Sequence, residues 1–103
     1  MSAAERKLRG MKNRKRSILL SLAAISSFLD NFEAERDTLE IPVRLENLIQ
    51  LWTDYNKVQT ELETLEEDED LMDSYLKEST EFENSYYRIK VLHFSCTINR
   101  TTL

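Results

Sequence analysis

The sequence predicts an all-α fold, an antiparallel helical hairpin or coiled coil of two to three long helices. Three observations carry this. Gly and Pro occur once each, as Gly10 and Pro42, whereas sheets and phosphate-binding turns need far more such punctuation. Leu, Ile, Phe and Tyr recur at steps of three and four, the period of one helix face. The chain is 32% charged, against about a quarter for an average globular domain, and that fits helices with one wet face each. A length of 103 residues allows one small domain. Residues 1–92 read as a single helical module with a basic arm at 1–16, and residues 93–103 as a frayed tail.

The first helix is marked by a stripe stepping alternately by three and four: Leu8, Met11, Lys15, Ile18, Leu22, Ile25, Leu29, Phe32, Arg36 and Leu39. Eight of these ten positions are apolar, which makes a heptad seam. The expected helix runs from about Ala4 to Thr38, with Gly10 as its weak point. Pro42 lacks an amide donor and clashes with a preceding helical turn, so it ends that helix and suits the first turn of the next. A second stripe then runs Ile41, Leu45, Leu48, Trp52, Tyr55, Val58, Leu62 and Leu65, widened by Leu51. The short connection favours an antiparallel hairpin.

Glu66-Glu67-Asp68-Glu69-Asp70 is a run of mutually repelling acids and the expected second break. Asp68 or Asp70 is placed to cap a third helix. That helix would carry Met72, Leu76, Phe82, Tyr86 and Ile89, with Tyr75, Tyr87 and Leu92 beside the seam. No Gly or Pro enforces the break, so one helix from Pro42 to about Leu92 stays open as an alternative.

Charge is segregated. Arg6, Lys7, Arg9, Lys12, Arg14, Lys15 and Arg16 crowd the start, while the remainder is acidic enough to leave a net charge of −5. Such asymmetry speaks of partners rather than fold. The basic start and the apolar run Ile18–Leu29 also have the order of a signal peptide. That reading leaves Leu8, Met11, Phe32 and Leu39 on the same stripe unexplained, so the amphipathic helix is preferred. The apolar run is too short for a membrane span. The lone Cys96 makes no internal disulfide, which fits a reducing, cytoplasmic or nuclear setting; after secretion, Asn99-Arg100-Thr101 would be a glycosylation sequon.

Four phrases in order resemble the N-terminal helical region of Gag-like polyproteins from BEL/Pao-type LTR retrotransposons. They are the basic helix Arg14–Phe32, the run Arg44-Leu45-Glu46-Asn47-Leu48 through Leu51-Trp52-Thr53-Asp54-Tyr55 to Val58-Gln59-Thr60-Glu61-Leu62-Glu63, the acidic connection, and Glu81-Phe82-Glu83-Asn84-Ser85-Tyr86-Tyr87. The resemblance covers about residues 9–92. It implies a structural, self-associating role and, since Gag proteins package RNA, a non-specific RNA contact. The capsid-like, zinc-knuckle, protease and polymerase parts of such polyproteins have no counterpart here, and residues from His93 onward depart from the pattern.

Reactive constellations are sparse. His93 and Cys96 have ligand types at a helical spacing, but a structural zinc site needs four ligands, and they read as tail residues. The acids from Glu61 to Asp73 lack the glycine of a calcium loop and read as a solvated face. Lys12, Arg14, Lys15 and Arg16 are the candidate phosphate contacts, without interleaved aromatics for base stacking. The expectation is therefore a non-enzymatic module with no cofactor and no small-molecule substrate, docking to itself or to other helical proteins. The expected interface is Leu8, Met11, Ile18, Leu22, Ile25, Leu29, Phe32, Leu39, Leu45, Leu48, Trp52, Tyr55, Val58, Leu62, Leu65, Phe82, Tyr86 and Ile89. The alternatives are a cellular coiled-coil adaptor unrelated to retroelements and a small secreted helical protein.

Overall fold

The computed structural model describes the backbone of residues 2–102 and the side chains of residues 2–95. Cys96 and the Asn99-Arg100-Thr101 side chains lie outside the described residues. Helix α1 spans Ala3–Asp30, a short α2 spans Ala34–Asp37 and leads through a 3₁₀ turn at Thr38–Glu40 into α3, Ile41–Leu65, and α4 spans Glu69–Thr102. The fold is all-α, with three long helices packed along one another over 56 × 22 × 18 Å.

Helix α1 starts where Ser2, in extended conformation, accepts a hydrogen bond on its hydroxyl from the Glu5 amide at 3.1 Å. Ser2-Ala3-Ala4-Glu5 has the spacing of a capping box. The helix ends at Asp30, not Thr38. The Asn31 side chain and amide both donate to the Ser27 carbonyl, at 2.8 and 3.1 Å, and satisfy the last turn. The chain then turns on a clasp. Arg36 donates through Nε and Nη2 to the two oxygens of Asp37, and Asp37 Oδ2 accepts the Glu33 amide at 3.0 Å. Those bonds, the Arg36 one first, hold the Asp37 carboxyl below the usual carboxylate range.

Breaking at Asn31 rotates the end of the predicted stripe away from the bundle. Phe32 still packs, edge-on against Phe28 at 6.3 Å. Leu39 does not: it is 87% exposed and leaves the interface assigned to it. Pro42 sits in the first turn of α3, where its missing N–H is no loss. At the far end, α3 stops at Leu65, and Asp68 caps α4 by accepting the Asp70 and Leu71 amides on Oδ1. The acidic break is therefore real. Leu65 is 44% exposed at this end, so it too lies outside the sealed core.

The order of contacts gives an up–down–up arrangement. Arg14 meets Asp54 and Arg44 covers Phe28, so α1 and α3 are antiparallel. Gln59 meets Tyr75 and His93 meets Ile41, so α3 and α4 are antiparallel as well. The core draws Met11, Ile18, Leu22, Ile25 and Leu29 from α1, Ile41, Leu48, Leu51, Tyr55, Val58 and Leu62 from α3, and Tyr75, Phe82, Tyr86 and Ile89 from α4. Leu8, Leu45 and Trp52 are half-buried against it. The backbone of α4 runs as helix through Thr102. His93 is buried, its Nε2 donating to the Ile41 carbonyl at 3.1 Å, which ties the third helix to the start of the second.

Leu48 is fully buried and Leu39 is not, so the two leucines of the predicted seam should separate in urea denaturation. Leu48→Ala is expected to cost about 2–5 kcal/mol. Leu39→Ala should change stability by no more than about 0.5 kcal/mol. Equal effects would overturn this placement of the break.

Candidate functional site

The residues with chemical potential gather in two places, a polar layer inside the bundle and the outer flank of α1. The inner layer is centred on Lys15. Sequence spacing put Lys15 on the apolar stripe, and its charge also made it a phosphate contact. The structure keeps the first placement and overturns the second. Lys15 is 6% exposed; its Nζ pairs with Glu78 and lies 4.8 Å from the centre of the Tyr75 ring and 6.0 Å from that of Tyr55. An ammonium is held in a low-dielectric interior only with such a counter-charge and ring faces around it. It is not available to a phosphate.

Around Lys15 the polar atoms are incompletely matched. Gln59 Nε2 donates to the Tyr75 carbonyl at 2.8 Å, while Gln59 Oε1 is buried with no hydrogen-bond partner and the buried Tyr55 hydroxyl has only Ser79 as a polar neighbour, outside good hydrogen-bond geometry. Burial, reinforced by Glu78 and opposed by the neighbouring Ser79, pushes the Tyr55 phenol up to about 12. Tyr75 donates to Glu66 at 3.1 Å and is likewise pushed up to about 12, by burial first and then by Glu66. These shifts make neither phenol a usable acid or base near neutral pH.

The aromatic positions form the seam between α3 and α4. Tyr55 and Phe82 stack with centroids 3.7 Å apart and planes 8° from parallel. Trp52 packs on Tyr86 at 4.4 Å and reaches Phe82 and Tyr87. Sequence reasoning named these rings, and the fold uses them within one chain. It missed Gln59 and His93 as cross-helix ties, because a polar residue on an apolar flank carries no periodic signal.

The basic face divides in the same way. Arg14 leans on Asp54 at 4.0 Å. Arg6, Arg9, Lys12 and Arg16 are exposed and make no ion pair among the described residues. Beyond Arg16 no charged residue occurs in α1 until Asp30. Two open depressions of about 350 and 400 Å³ run between this flank and α4 and meet at Leu19. Among the described residues, His, Cys, Asp and Glu side chains do not converge into a metal-binding group. No helix among them is long and apolar enough to cross a membrane.

The raised phenols give stability a pH dependence with a fixed sign. Each loses its proton near pH 10 in the unfolded chain and only near 12 in the fold. Their contribution is therefore complete below about pH 10 and is lost as pH rises through about 12. Tyr55→Phe removes one titrating group and an unpaired buried hydroxyl. Thermal melts followed by circular dichroism should show equal or higher stability at pH 7 and a smaller loss between pH 10 and 12. An unchanged alkaline loss would contradict this account of Tyr55.

Comparison with protein-family models, with curated proteins and with solved structures finds no match for this chain.

Proposed function

We propose that this chain is a non-enzymatic helical scaffold, a Gag-like module of BEL/Pao-type retrotransposon ancestry, that works by associating with itself. The observation that carries this is the set of large apolar side chains left outside an already closed core. They include Leu19 and Leu20 on α1, Ile49 on α3, and Leu76, Tyr87, Val91 and Phe94 on α4. Scattered exposed leucines are ordinary in a monomer. Here they fall on helix flanks, beside a core whose own stripes are consumed within the chain. Association must therefore use the outer flanks and not the seams expected from periodicity. Ordered phrases such as Leu48 to Tyr55 and Phe82 to Tyr86 supply the Gag-like part of the reading.

A second reading, non-specific RNA contact, is favoured by the unpaired Arg6, Arg9, Lys12 and Arg16 on one face of α1. It uses Lys12 and Arg16 from the original set, with Arg14 partly occupied by Asp54 and Lys15 withdrawn.

Two measurements test these readings. Size-exclusion chromatography with light scattering should give a species larger than 12.2 kDa at micromolar concentration. A monomer at high micromolar concentration would overturn the scaffold proposal. For RNA, the logarithm of affinity should fall linearly with the logarithm of salt, with a slope of about −3 if four cations each engage a phosphate of a single strand. A flat titration would remove the RNA reading.

A further inference from the structure

We propose that a second copy of this chain docks antiparallel along the α1 flank facing the α1–α4 groove, with the two-fold axis level with Ser21. This rests on the self-association reading and specifies its surface. From Ser17 to Leu29 the helix carries no charge, in a chain where 32% of residues are charged. The bundle explains Ile18, Leu22, Ile25 and Leu29, which it buries. It does not explain the flank toward the α1–α4 groove, where Leu19 is 40% exposed and Ala23 and Ser27 face solvent. An exposed helix flank of this kind is uncharged either by chance or because something covers it.

Charge identifies the cover. Lys12 and Arg16 stand at the N-terminal end of the flank and Asp30 at its C-terminal end, all exposed. Lys12 and Asp30 are nine residues either side of Ser21, and Leu19 and Ala23 are two residues either side. An antiparallel copy centred there sets Lys12 of each chain beside Asp30 of the other, and Leu19 of each against Ala23 of the other. The two charge contacts lie about 27 Å apart at 1.5 Å per residue. Arg88, which shares the depression with Asp30, comes level with the Glu78 region of the other copy. A parallel copy would instead place Lys12 against Lys12, and like charges across an interface are costly. The contact is isologous, so it closes on a dimer. The small side chain of Ala23 lets two helix backbones approach to about 8–10 Å.

The test uses the full chain and sedimentation or light scattering across a concentration series. Ala23→Arg alters an exposed position, so its melting profile should match wild type, while the dimer weakens by about tenfold or more. Lys12→Glu with Arg16→Glu should weaken it too, because the carboxylate at position 12 then faces Asp30 and the one at position 16, level with Ser26, lies one turn from it. Adding Asp30→Lys to that pair should restore the dimer, a rescue that a merely structural effect would not produce. A dimer that survives Ala23→Arg unchanged, or a triple variant that fails to recover, overturns this interface and leaves self-association standing. A wild-type chain that stays monomeric overturns both.

Discussion

The Tyr55 ring is 1% exposed, stacked flat on Phe82 of α4, with the Lys15 ammonium of α1 6.0 Å away. It lies midway along α3, where the three long helices converge, and the rest of the bundle depends on that convergence being filled. Leu48 and Leu62, one heptad to either side, are fully buried because α3 is contacted by both other helices. A ring at the junction supplies bulk that no aliphatic side chain matches, and stacking of this kind adds about 0.5–1.5 kcal/mol beyond the area buried. The polar edge of the ring is the cost. It leaves one hydroxyl unmatched and draws Lys15, Glu78 and Gln59 into a polar layer within an otherwise apolar core.

Electrostatics contribute little to holding the helices together. Among the described residues two ion pairs cross between helices, Lys15 with Glu78 and Arg14 with Asp54, and the second is long and partly exposed. Yet folding brings the basic start of α1 to the same end of the bundle as the acidic connection between α3 and α4, with Leu8 beside Leu65. Charges far apart in the sequence thus come to one end of the bundle, where Arg14 and Glu61 line one depression. Arg6, Arg9 and Lys12 stay exposed there, so within a Debye length, about 8 Å at physiological salt, a partner meets cations and carboxylates together.

Periodicity was sufficient for the helix faces because each helix buries one stripe, and a stripe of spacing three and four is visible in the sequence alone. Pro42 and Asp68 were legible for a related reason: each acts on its own few residues, through a missing donor and an added acceptor. The end of α1 was not legible. It is decided by Asn31 reaching back to Ser27 and by the Arg36–Asp37–Glu33 clasp, side-chain choices that compete with an otherwise adequate heptad continuing to Leu39. Lys15 was misassigned because charge in a sequence does not reveal burial, and its partner Glu78 lies on a different helix. His93 looked like tail because nothing local marks a ring that bonds to a carbonyl of α3.

The same distinction bears on what the Gag-like resemblance is worth. Its leucine-rich and aromatic phrases are carried by Leu48, Leu51, Tyr55, Val58, Leu62, Phe82 and Tyr86, and every one of these is buried within the chain. Residues under packing constraint recur wherever a three-helix core of this shape is built, so shared phrases of this kind speak first for a shared bundle. The side chains that would meet a partner are different ones. Leu19, Ala23, Lys12 and Asp30 face outward, where the core places no demand on their identity. An uncharged flank kept between two charged ends, on a helix whose buried face is already satisfied, is therefore the feature that packing inside one chain leaves without a cause.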